Sequence, residues 1–154
     1  MVEKMDLEKL IQDYEYYHQD PFNIKIHLIC VPLIMLSVLG FLNSVPIALG
    51  NLGLGHLVAG LFLIYYLLFA RPYFVPLVAL FVLVIAADML LSQMRFTYYL
   101  GLNIAIFVIC WIFQFWGHRH EGNNPAFIDN KETGIHSTFM APILVVRHAR
   151  ELFT

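Results

Sequence analysis

Four long apolar runs occupy the middle of the chain, at about 24–42, 52–70, 72–92 and 98–116. Each is close to the ~20 residues an α-helix needs to cross ~30 Å of hydrocarbon, so the pattern predicts four membrane spans. The stretch 4–19 is patterned differently. Leu7, Leu10, Ile11, Tyr14, Tyr17 and His18 recur at helical spacing, with Glu3, Lys4, Glu8, Lys9, Asp13 and Glu15 mostly elsewhere. That predicts an amphipathic helix, too charged to span and suited to lie at the interface or against the bundle. Asp20-Pro21 ends it, because proline pushes the preceding residue out of helical geometry. A very short link around Ala70-Arg71-Pro72 makes the second and third runs a tight helical hairpin. Gly53, Gly55 and Gly60 in the second run permit close packing, as small residues do between membrane helices. Residues 117–137 are polar and proline-interrupted and read as a loop. Residues 138–152 read as a short interfacial helix. The expected fold is therefore all-α: an integral membrane four-helix bundle, with an N-terminal amphipathic helix, a short C-terminal interfacial helix and one domain over 1–154.

Composition agrees with that pattern and narrows the function classes. Of 154 residues, 60% are hydrophobic and 13% charged, against ~45–50% and ~25% in soluble domains. The net charge of −2, with no long basic run, gives no reason to expect nucleic acid. The N-terminus lacks the basic and apolar regions of a cleavable signal peptide. Cys30 and Cys110 lie alone in apolar runs and read as small buried hydrophobes, not as a disulfide or zinc site. Four crossings place Lys4, Lys9, Lys25, Arg71, Arg119, Lys131, Arg147 and Arg150 on one side and leave Arg95 on the other. By the positive-inside rule both termini, and the tail 117–154, are expected in the cytoplasm.

The same crossing count gathers six of the seven histidines at one face: His18, His27, His118, His120, His136 and His148. A single histidine near a membrane interface is most often only an amphipathic anchor. Six at one face of so small a protein suggest a metal site with access to a lipid. On one continuous helix His18 and His27 would face opposite ways. The break at Pro21 lets the first helix fold back so that they meet, with Asn23 between them as a residue that can orient a ring. Gln114 and His118 are i, i+4 neighbours on one helix face. His120 is turned ~200° from His118 if the helix continues. Glu121 is a candidate carboxylate ligand. Three imidazoles, with or without a carboxylate, suit Fe(II), Zn(II) or Mn(II), and spacing does not choose among them. Rival readings are another membrane metalloenzyme of lipid hydroxylation, although no HxxxH or HxxHH box occurs, and a non-enzymatic bundle for lipid binding or transport. Asp88, inside the third run, is expected to make a structural hydrogen bond to Asn103 or Arg95.

Particular residues carry a family resemblance. The stretch YYHQDPFNIKIHLICVP from Tyr16 to Pro32 and the stretch WIFQFWGHRHEGNNPAFIDN from Trp111 to Asn130, followed by Ala141-Pro142, resemble the 2-hydroxy fatty acid dioxygenase family. That family is best known from the fungal endoplasmic reticulum and has bacterial relatives. The resemblance implies a membrane protein of the endoplasmic reticulum or the bacterial inner membrane. It implies Fe(II) and O2, and a 2-hydroxy fatty acid shortened by one carbon in alpha-oxidation. It carries over His18, His27 and His118 as metal ligands, and Glu121 as the acid after the Gly-His pair. Asn23, Gln114, His120 and His148 are further candidates for ligands or supporting residues. The chain departs from the family at Met89, where many members have histidine after the aspartate, and at Asn123-Asn124, where they have arginines. Arg119, Lys131 and Arg147 are then the candidates for a substrate carboxylate. The acyl chain is expected between the spans, where Gly53, Gly55 and Gly60 leave room.

Overall fold

The computed structural model describes residues 7–49, 52–129 and 131–151. Its helices are α1 (Leu7–Glu15), α2 (Pro21–Asn43), α3 (Leu54–Phe69), α4 (Phe74–Leu91), α5 (Phe96–Glu121), α6 (Ala126–Asp129) and α7 (Lys131–Glu151). A tiny antiparallel hairpin of β1 (Ala48–Leu49) and β2 (Leu52–Gly53) links α2 to α3. Among the described residues, three helical stretches are long and apolar enough to cross a membrane: 21–43, 71–91 and 96–121.

The expected second span is shorter than its apolar run. Gly53 is extended (φ −72°, ψ 168°) and belongs to the hairpin, while Ala70 leaves the helical region at φ −132°, ψ 42°. The remaining 16 residues of α3 are only ~24 Å long. His56 caps this helix, its Nδ1 accepting from the Gly53 N–H at 3.2 Å, so it is structural.

Asp20-Pro21 does more than end the first helix. The Asp20 carboxylate accepts from the N–H groups of Phe22 and Asn23 and caps α2, with Pro21 in its first turn. Such a cap contributes ~1 kcal/mol, and proline at the first helical position loses no bond. The helix therefore starts three residues before the apolar run. At the other end of the chain, the loop expected over 117–137 is mostly helical. The α5 helix runs on to Glu121 and stops at Gly122, which takes the left-handed conformation (φ 83°). Helices α6 and α7 follow almost at once. Nor is α7 a merely interfacial helix: Met140, Ile143, Leu144 and Val146 share a core with Ile11 and Tyr14 of α1.

Helices α2 and α5 run antiparallel, and their separation is set by two glycines. At one end Asn23 of α2 lies over Gly117 of α5; at the other, Asn103 of α5 lies over Gly40 of α2. A Cβ at Gly40 would sit 2.5 Å from the Asn103 side chain, so only glycine allows this approach. Cys30 and Cys110 are both free and pack together between these helices.

Asp88, only 2% exposed, has partners other than those expected. Its carboxylate accepts from Asn43 Nδ2 at 2.8 Å and from the Tyr99 hydroxyl at 2.6 Å. Asn43 Oδ1 in turn accepts from the Gly55 N–H at 2.9 Å. Asn103 instead donates to the Tyr99 carbonyl. This lock joins α2, α3, α4 and α5 at the end opposite α1. Asp88→Ala strands two donors, each costing ~1–3 kcal/mol when buried. The expected loss is about 2–6 kcal/mol in a detergent unfolding titration, and a smaller one for Asp88→Asn.

Candidate metal centre

The site forms where the α1–α2 corner meets the C-terminal end of α5. His18 follows α1 and turns inward; His27 lies two turns into α2; His118 lies in the last turn of α5. All three are at most 4% exposed. One ring nitrogen of each lies within 4.8 Å of the others, a group able to share one ion.

Their hydrogen bonds fix which nitrogens are available. His18 Nδ1 lies 2.8 Å from the Tyr14 carbonyl, and His27 Nδ1 lies 3.0 Å from the Asn23 carbonyl. A carbonyl only accepts, so each Nδ1 carries the proton and each Nε2 presents a lone pair. These Nε2 atoms face each other at 3.1 Å. Two lone pairs at that distance repel unless a cation lies between or beside them. The separation matches the ~3.0–3.4 Å between two imidazole nitrogens that share a metal at ~2.1 Å each. Burial first, and then neighbouring His27, push His18 from its ordinary 6.5 down to about 2, outweighing the Tyr14 carbonyl. The ring is therefore neutral at neutral pH, the form that binds a metal. The donor set fits a divalent transition metal.

Asn23 and Glu121 hold the corner closed. Asn23 is fully buried, and its Nδ2 donates to Glu121 Oε2 at 2.6 Å and lies 3.4 Å from His118 Nδ1. Glu121 Oε1 accepts from the N–H groups of Gln19 at 2.6 Å and Asp20 at 3.1 Å. Both Glu121 oxygens are thus committed to tying α5 to the α1–α2 turn, and Glu121 is not in the three-histidine group. Because α5 continues through residue 120, His120 points away and is exposed against Phe22, ring centroids 4.9 Å apart.

Two cavities meet at His18. One, of about 450 Å³, is lined almost wholly by apolar side chains and has His18, His27 and His118 at one end. Gln114, 8% exposed, lies in its wall. The second carries the more polar side chains, among them His18, Gln19, Glu15, Arg147 and His148, beside Tyr16 and Ile24. There Arg147 Nε pairs with Glu15 Oε1 at 3.2 Å. Arg119 is exposed. The side chains of Lys131 and His136 lie outside the described residues. The expected room at the glycines is also different: Gly53 and Gly55 accommodate Asn43, Gly55 also lines the apolar cavity, and Gly60 has no neighbour within 4 Å.

Tyr14 was not foreseen as part of the site. Its carbonyl orients His18, and its ring stacks on the imidazole at 4.3 Å. Its i, i+4 spacing to His18 on the apolar stripe was the available signal. The part of α7 in the cavity wall, at Thr138, Ala141 and Pro142, had no signal beyond apolarity.

Fold and site together define a small helical protein in which three described helices are long and apolar enough to cross a membrane and three imidazoles are grouped at one end of an apolar cavity. The chain belongs to the Mpo1-like family, described as 2-hydroxy-palmitic acid dioxygenase Mpo1-like, whose model matches residues 5–150. It is 34% identical over 143 residues to the 2-hydroxy-palmitic acid dioxygenase MPO1 of Saccharomyces cerevisiae, covering 92% of this chain and 78% of the yeast protein. No solved structure matches it.

Proposed function

We propose that this protein is a 2-hydroxy fatty acid dioxygenase that holds Fe(II) through His18, His27 and His118 and releases the fatty acid one carbon shorter. The observation that carries the reading is the buried three-histidine group at the end of an apolar cavity. The yeast relative's name supplies the substrate class. When bound, Fe(II) supplies the redox chemistry by which O2 reacts at the C1–C2 bond. The chain's own residues do the rest. Tyr14 and Asn23 carbonyls fix the His18 and His27 tautomers, as partners of metal-bound histidines commonly do. The cavity takes the alkyl tail and keeps water out. Gln114, buried in the cavity wall, offers its amide to the hydroxyl or carboxylate. Arg147 is the better placed carboxylate partner, since it shares the second cavity with His18.

In this reading α3 also crosses the membrane, with the link Arg71–Tyr73 completing its passage. Two contacts support that: Gly55 bonds Asn43 at one end of α3, and the Tyr66 hydroxyl near the other bonds the Phe139 carbonyl of α7 at 3.0 Å. Both termini then lie in the cytoplasm. The test is iron analysis of the purified protein, followed by incubation with 2-hydroxypalmitate in air. Stoichiometric iron and formation of the fifteen-carbon acid are expected. An iron-loaded sample that never consumes the acid rejects the reaction.

A further inference from the structure

The apolar cavity has a definite length as well as a volume. Along α2 its wall runs from His27 through Val31, Met35 and Leu39 to Leu42, a single helical stripe. Fifteen residues of rise make ~22 Å. Three backbone bonds advance at most ~3.6 Å in an extended chain, or ~1.2 Å per bond. A straight alkyl tail starting at the histidines therefore reaches the far end after about 18 to 19 carbons.

That far end is stiff. Leu42 is the last cavity residue of α2, and Gly55 is the first of α3, so both lie at the hairpin end. Directly behind them stands the Asn43–Asp88 lock. Asn43 bonds the Gly55 backbone on one side and the buried Asp88 carboxylate on the other. A Cβ at Gly55 would lie 2.7 Å from both Asn43 Oδ1 and the Leu39 carbonyl, so backbone and lock are already in close contact. Val58, one turn further along α3, faces the same space. A longer chain cannot push this wall back without breaking buried hydrogen bonds.

We propose that this wall is a ruler: Leu42 and Val58, backed by the Asn43–Asp88 lock, set the acyl-chain length the protein accepts. The inference rests on the functional reading above, in which the tail of a 2-hydroxy acid occupies the cavity. A filler of membrane lipid with no selective role is the competing occupant.

The test uses the full chain in detergent and a series of saturated 2-hydroxy acids, from well below to well above palmitate in length. Turnover gives kcat/KM for each, and displacement of a fluorescent fatty acid gives affinity without any reaction. Wild type should peak at about 18 carbons and fall at least ~10-fold for chains a helical turn longer, about four carbons. Val58→Phe should move the optimum to chains shorter by about three carbons. Leu42→Ala should move it to longer chains. Both should keep wild-type iron content. Unchanged length profiles in folded, iron-loaded variants overturn the ruler, as does a wild-type profile that is flat with length. If Val58→Phe does not fold, Leu42→Ala decides alone. If the acids bind with the expected length ranking but none is turned over, the assigned reaction fails and the ruler stands.

Discussion

His27→Ala is expected to remove the iron and lower turnover of 2-hydroxypalmitate by more than ~100-fold, because losing even a group that only orients a ligand costs 10–100-fold. His27 is 3% exposed, has Nδ1 fixed on the Asn23 carbonyl and has Nε2 3.1 Å from His18 Nε2. Alanine removes one of three imidazoles and leaves a dry gap that the buried helix cannot fill. His120→Ala is the matched control. It too removes an imidazole at the same end of the α2–α5 pair, but from an exposed position against Phe22. Its effect on iron content and turnover should stay within twofold. Metal analysis of both variants, with a melting curve to establish folding, checks the contrast. Equal iron in His27→Ala and wild type would place the ion elsewhere.

The histidine convergence was legible because it depends on chain direction. Pro21 must break the helix, and an antiparallel partner must bring residue 118 back to the level of residue 27. Both follow from local rules and from the alternation of apolar runs. What followed poorly was anything decided by a specific contact. Glu121 matches the family's acid after the Gly-His pair, but nothing in the sequence foretells that two backbone N–H groups and Asn23 donate to its oxygens. Asp88 finds Asn43, 45 positions away, and Tyr99, which no periodicity connects. The extent of α7 was hidden because its polar first turns read as loop, whereas residues such as Met140, Ile143 and Leu144 pack into the core shared with α1. The short α3 was overestimated for a similar reason: apolarity marks what avoids water, and Gly53 and Ala70 are apolar without being helical.

Gly117 tests whether the close approach of α2 and α5 makes the site. It lies one residue before His118, and a Cβ there would overlap Asn23 Oδ1 and come within 3.1 Å of Ile26 Cδ1. Asn23 cannot step aside cheaply. Its Nδ2 binds Glu121, its carbonyl holds His27, and its N–H is part of the Asp20 cap. A methyl at 117 therefore forces apart the two helices that carry His27 and His118. Overpacking costs ~1–3 kcal/mol, and each buried hydrogen bond lost adds ~1–3 kcal/mol. Gly117→Ala should thus lose about 3–5 kcal/mol of stability and most of its iron, with turnover falling in step. Gly40→Ala separates destabilisation from damage to the site. It strains the same helix pair against Asn103 at the far end, so it should lower the melting temperature while the folded fraction keeps its iron. Gly60→Ala, with no atom within 4 Å to collide with, should be neutral or stabilise α3 by ~0.5–1 kcal/mol. If Gly117→Ala retained full iron at wild-type stability, the imidazoles would have to tolerate a wider helix spacing than this geometry allows. The three-histidine group would then be a packing coincidence, not a metal centre.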